Sequence, residues 1–282
     1  MIAGAVVGAV LVAGPSVNAV SAAPRPPAVH GGRASVLRPR PVRAPLRRRV
    51  LGPPLKDHHG RLDATANLYA IWWGDPNAWP ADTQPGLTDF LTNLGSSPYA
   101  HVAQQYLRGA TLHMTLAGTF VDPSPAPTTE PNTTSIAAEI ANVLAANGQV
   151  PDPAGIYVVF TASFARGSKY PGYCAWHTNA TIGGVTIAEA YMPNLTGMLG
   201  CGVMFLDENS YSATTRALAN VTAHEVMESV TDPIPYTGWL DRRKQEIADK
   251  CAWQFGSTSL IGSTQWLIQS EWSNAIKACA LQ

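Results

Sequence analysis

No uninterrupted apolar run in this 282-residue chain reaches the ~20 residues needed to cross a bilayer. The longest one covers residues 2–13, and it is followed by Ser21-Ala22-Ala23 before Pro24, the small-residue pattern that signal peptidase accepts. Residues 1–23 are therefore expected to be a removable secretion signal, with no stable membrane anchor. No Lys or Arg precedes the apolar run, so the Met1 amine is its only positive charge unless the true start lies upstream. Cysteine is absent before position 174, and no C-x-x-C pair occurs, which argues against a zinc–thiolate site. The four that exist are Cys174, Cys201, Cys251 and Cys279, an even number that suits two bridges in an exported protein. Three connectivities are open. Local pairing, Cys174 with Cys201 and Cys251 with Cys279, is favoured.

Net charge is also absent, but the zero conceals an asymmetry. Of nineteen basic residues, ten fall between Arg25 and Arg61, where Asp57 is the lone acid; from Leu62 onward nine basic residues face eighteen acidic ones. Proline is frequent in residues 24–61 and sustained apolar periodicity is lacking, so this stretch reads as a basic linker or propeptide. Its Arg47-Arg48-Arg49 run suits an anionic cell surface or a processing site, although a solvated charge run is the plainer reading. The basic residues have no interleaved aromatics and sit on no folded face, which excludes a nucleic-acid partner.

Residues 62–282 have the length of one domain with a substantial core. Strands are expected over 68–73, 110–121 and 156–161, the last β-branched and uncharged. Helical spacing marks 86–94, 99–107 and 134–147. Residues 172–202 read as a stapled loop region, with short strands over 185–191 and 202–206. A longer helix is expected from Ala213, capped by Ser212, and it must stop near Asp232 because Pro233 disfavours helical geometry before it. The alternation implies an α/β fold, a single domain with a mixed β-sheet flanked by helices.

That last helix carries His224-Glu225-Val226-Met227-Glu228. A spacing of four puts the His224 imidazole and the Glu228 carboxylate on one face, close enough to share a cation. In H-E-x-x-H metallopeptidases the intervening glutamate is the general base, which assigns Glu225 that role. A third ligand must come from downstream. Glu246, with Asp249 one turn later orienting a ligand, resembles the gluzincin arrangement, while Asp232 and Asp241 are rivals that spacing cannot exclude. His113 and the His58-His59 pair read as structural. His177 does too, although the stapled loop could bring it near the site, and it and Tyr236 are the candidates for an oxyanion partner.

Several blocks resemble the EXORDIUM-like, or phosphate-induced protein, family across residues 66–256. They are Asn67-Leu68-Tyr69-Ala70-Ile71-Trp72-Trp73-Gly74 with Trp79-Pro80, Leu94-Gly95-Ser96-Ser97-Pro98-Tyr99, Gly155-Ile156-Tyr157-Val158-Val159, Gly172-Tyr173-Cys174-Ala175-Trp176-His177 and Val230-Thr231-Asp232-Pro233. The microbial branch is similar in carrying H-E-x-x-E before Thr-Asp-Pro, then Trp-x-Asp and Glu-x-x-Asp-Lys-Cys, here Trp239 to Asp241 and Glu246 to Cys251. The resemblance implies an extracellular protein. Plant members lack the His and Glu positions, so the fold it implies does not depend on a metal.

Two functional expectations follow. The first is a secreted zinc-dependent hydrolase with a zincin-like active-site helix, acting on a peptide or protein substrate with His224, Glu228 and Glu246 as ligands. The second is a non-catalytic extracellular signalling or wall-associated protein whose acidic cluster holds a structural calcium ion.

Overall fold

The computed structural model describes residues 27–40, 52–164, 172–202 and 208–282. The expected signal at 1–23 and the strand over 202–206 lie wholly or almost wholly outside them. Among the described residues there are three α-helices: α1 (Thr83–Leu94), α2 (Thr133–Ala146) and α3 (Ala213–Thr231). The strands are β1 (Val29–Gly31), β2 (Ser35–Leu37), β3 (Lys56–Asp57), β4 (Thr65–Trp73), β5 (His113–Asp122), β6 (Gly155–Thr161), β7 (Ala175–Ile182) and β8 (Val185–Met192). Short strands β9 (Trp239–Leu240), β10 (Ser259–Ile261), β11 (Thr264–Trp266), β12 (Glu271–Ser273) and β13 (Ala278–Ala280) follow α3. The expected helix over 99–107 is a 3-10 helix, Ala100–Tyr106.

One mixed sheet organises the chain, in the order β1-β7-β8-β6-β4-β5, with β2 also paired to β7. Strands β5, β4, β6 and β8 run parallel, so their connections must cross over the sheet, and α1 and α2 do so. Every residue of β6 is buried, as expected for a central parallel strand covered on both faces. Its Ile156, Val158 and Phe160 join the core under α1 and α3, while Tyr157 and Val159 join the core under α2. Ser212 caps α3 by accepting from the Thr215 amide at 3.3 Å. Nearly all of α3 is buried. Helices hidden all round are normally apolar, but this one carries His224, Glu225 and Glu228 at 0% exposure, which marks it as the bearer of a site.

Both disulfides are local, Cys174–Cys201 and Cys251–Cys279, with Cα separations of 5.5 and 5.8 Å. Closing loops of 27 and 28 residues restricts the unfolded chain by about 3–4 kcal/mol each.

Two expectations need correction. Residues 175–182 are a strand, not part of a loop: Ala175 points to the α3 side and Trp176, Ala180 and Ile182 to the α2 side, an alternation hidden in sequence by Asn179 and the threonines. The folded unit also begins well before residue 62. β1 and β2 pair antiparallel with β7, Leu37 and Leu55 are 1% and 2% exposed, and Asn274 brackets the Leu55 backbone through both side-chain amide atoms at 2.9 Å. Apolar periodicity could not reveal this. A strand added to a sheet edge is held by main-chain hydrogen bonds, which any non-prolyl residue can make.

On the α2 side, burial comes first in lifting the Glu139 carboxyl to about 8, reinforced by its hydrogen bond to Asp122. Because the folded state keeps a proton that the unfolded state loses above about pH 4.5, stability should fall by up to about 1.4 kcal/mol per pH unit between those values. Glu139→Gln is expected to flatten the decline in urea midpoint between pH 5 and 8; an unchanged slope would mean that Glu139 ionises freely in the fold.

Candidate metal centre

Glu228 stands at the centre of the polar groups that α3 buries. One of its carboxylate oxygens, Oε1, lies 3.1 Å from His224 Nε2, one turn back on the same helix; the other, Oε2, lies 3.3 Å from His177 Nε2. His177 reaches it from the α3-facing side of β7. The segment after β9 adds two carboxylates: Glu246 Oε1 at 3.3 Å from His177 Nε2, and Asp249 Oδ1 at 3.9 Å from His224 Nε2. The Asp249 backbone amide donates to Glu228 Oε1 at 3.0 Å, fixing the loop against the helix. Ser35 on β2 donates its hydroxyl to Glu246 Oε2.

The atoms fall into two groups that share Glu228: His177, Glu228 and Glu246, and His224, Glu228 and Asp249, the donor atoms of each within 4.8 Å of one another. Glu246 therefore stands with His177 rather than with His224, and Asp249 stands at the same distance class as a ligand rather than behind one. Asp249 is the only member with appreciable exposure, its side chain 26% accessible.

Several of these contacts are close without being hydrogen bonds. Among the described residues, His224 Nε2, Glu228 Oε2 and Glu246 Oε1 have no hydrogen-bond partner although each lies 3.1–3.3 Å from a facing polar atom. Donor atoms on the corners of a tetrahedron around zinc, with bonds of ~2.0–2.1 Å, are separated by about 3.3 Å. The 3.1–3.3 Å contacts match that spacing, so the donor set fits a divalent cation.

Charge ties the members of the cluster to one another. Burial alone would lift the Glu228 carboxyl, but the His224 and His177 imidazoles override it and hold it at about 2. Burial also works against protonation of His224, yet the charge of Glu228 dominates and raises that imidazole to about 10. Glu246 moves the other way, lifted by burial and by Glu228. Glu225, next to the cluster, is 0% exposed with both carboxylate oxygens unpartnered, and burial raises it to about 8.

The rival ligands are engaged elsewhere. Asp232 accepts from the Tyr236, Thr237 and Gly238 amides at 2.6, 3.0 and 2.6 Å, organising the turn that the helix end enters. Asp241 accepts from the Arg243 and Gln245 amides and pairs with Lys250 at 3.2 Å. The Tyr236 ring lies 4.7 Å from the Arg33 guanidinium. His59 is 86% exposed beside Asp57, and His58 meets the Lys56 and Gly238 carbonyls. Sequence reasoning gave no site role to Ser35, which lay in the supposed linker, or to Tyr99 and Glu271, and it read His177 as structural while noting that the stapled loop could bring it near the site. The Tyr99 hydroxyl donates to Glu271 Oε1, whose carboxyl burial lifts to about 8 and the His224 charge draws down.

Asp232→Ala is expected to cost on the order of 3 kcal/mol in denaturant unfolding, since three backbone donors lose a charged acceptor. A loss under about 0.5 kcal/mol would show that water replaces it. Set beside known proteins, the chain matches no family model, no curated protein and no solved structure, so its site is read from its own geometry.

Proposed function

We propose that this protein is a secreted, zinc-dependent hydrolase of the metallopeptidase type. The observation that carries the reading is the convergence of two imidazoles and two further carboxylates on Glu228, with Glu225 beside them. His177, His224, Glu228, Glu246 and Asp249 are the residues that would hold the cation. Zinc bound there would supply Lewis acidity, polarising a scissile carbonyl and bringing the pKa of water toward neutrality. Glu225 takes the proton from the attacking water and passes it to the leaving amine. Its burial serves that role by keeping the carboxylate desolvated and its basicity high. The Asp249 amide and the His224 ring hold Glu228 in a single orientation, so the ligand cage needs little rearrangement.

The two disulfides and the absence of any helix long and apolar enough to cross a membrane, among the described residues, fit an oxidising, extracytoplasmic setting, and the N-terminal pattern supports export. The resemblance to the microbial EXORDIUM-like branch agrees with secretion.

Purified from zinc-replete growth, the full chain should hold about one equivalent of zinc by elemental analysis, and His177→Ala or His224→Ala should lose most of it. Glu225→Gln should keep the metal and lose about 10²-fold or more of its hydrolysis of a peptide library. Calcium bound in place of zinc, or a fully active Gln variant, would overturn the assignment.

A further inference from the structure

The segment beside the candidate metal centre forms an edge of the sheet, β1 and β2 both pairing with β7. Strand β2 runs antiparallel to β7 with Ser35 directly opposite His177, and its side chains alternate so that Ser35 and Leu37 face α3 while Val36 faces α2. Main-chain bonds continue on both sides of it: the Gly32 amide donates to Asn179 O at 2.7 Å, the Cys174 amide to Leu37 O at 2.8 Å, and the Gly183 amide to Ala28 O at 3.1 Å. Strand addition of this kind is how extended peptides bind an exposed sheet edge, the backbone giving affinity and side-chain pockets giving selectivity. At the one position where a side chain meets the metal-ligating cluster, the hydroxyl of Ser35 is bonded to Glu246.

We propose that the β7 edge beside this cluster is a binding lane for an extended peptide, and that residues 27–40 are its built-in occupant, which must leave before another peptide can enter. The inference rests on the hydrolase reading for what happens to that second peptide, but not for the lane itself. Seating is specific. A Cβ on Gly32 would lie 2.4 Å from Asn179 Oδ1, and one on Gly31 would lie 2.3 Å from Thr133 Oγ1 at the start of α2, so the segment approaches closer than any side chain allows. Its apolar anchorage is modest, with Leu37 as its one fully buried hydrophobic side chain and Val29, Ala34 and Val36 partly buried against the α2-side core. Few anchors and many main-chain bonds suit an occupant that binds in register yet can be exchanged. The sequence also offers a place to sever it, the run Arg47-Arg48-Arg49 between this segment and the body of the domain.

The test uses the full chain with a recognition sequence for a specific protease placed between residues 41 and 51. After cutting and dilution, the N-terminal piece should dissociate, and hydrogen exchange at the Cys174 and Gly183 amides should accelerate at least tenfold while α3 stays protected. A synthetic peptide of residues 27–40 should restore that protection in metal-free protein, and the same peptide with Gly32→Val should not. Hydrolysis of a peptide library should rise at least tenfold on cutting and fall when the synthetic peptide is returned. A piece that stays bound, a peptide that fails to restore protection, or loss of protection across α3 overturns the lane, because the segment is then an integral strand. Protection restored by the peptide with no hydrolysis in either state keeps the lane and removes the hydrolase reading.

Discussion

A carboxylate clasped between two imidazoles, in a place water does not reach, is the interaction around which this molecule is arranged. Taking Glu228 out of water costs several kcal/mol, and only close partners of opposite charge can offset it. The helix itself supplies one, because His224 lies a single turn away. Everything else must be brought from afar. His177 comes from the sheet, and the Asp249 amide and Glu246 come from the segment after β9. The two disulfides sit beside those imported groups: Cys174 lies three residues before His177, and Cys251 two after Asp249. Each bridge therefore restrains the stretch of backbone that delivers a polar group to the helix, in addition to reducing the entropy of the unfolded chain.

The arrangement also shows where stability has been given up. Glu225 is hidden without any hydrogen-bond partner, and both His224 nitrogens are unpartnered by the same measure. A helix in this position would be more stable with an apolar residue at 225, because a desolvated polar group without partners is a net cost. Keeping one is the signature of a site whose geometry is held ready for something it binds, with the surrounding core supplying the surplus that this requires. Tyr99 and Glu271 extend the polar region around His224 and Glu228.

How much of this was legible beforehand follows from the range over which each signal acts. The α3 helix and its His224, Glu225 and Glu228 were readable because a spacing of four residues is a local property, and the α/β class was readable because strands such as β6 are buried on both faces and become continuous apolar runs. The role of His177 was not. Its neighbours Thr178, Asn179 and Thr181 give β7 a polar look, and only the register with β8 and the proximity of α3 turn that stretch into an inner strand. Ser35 was hidden for a different reason. A segment held by its backbone leaves almost no trace in side-chain composition, so a glycine- and arginine-rich stretch reads as solvated chain. Glu246 was found in sequence together with Glu228, but which histidine it approaches was not, since a step of eighteen residues from the helix carries no directional information.

The charge asymmetry along the chain gains a meaning from where the N-terminal segment lies. From residue 62 onward the protein is acidic, nine basic residues against eighteen acidic, whereas residues 24–61 carry ten basic residues and one acid. A basic strand docking on an acidic body is drawn in by long-range attraction that salt screens, over a Debye length of about 8 Å at physiological ionic strength. Core side chains cannot provide that kind of hold, because hydrophobic burial acts only at contact. An edge such as β7 must be covered in any case, since its unpaired amides would otherwise recruit the strands of other molecules. Covering it with a segment that is held by backbone bonds and charge, rather than by a large apolar face, satisfies that need while leaving the edge and the buried cluster beside it accessible once the segment departs.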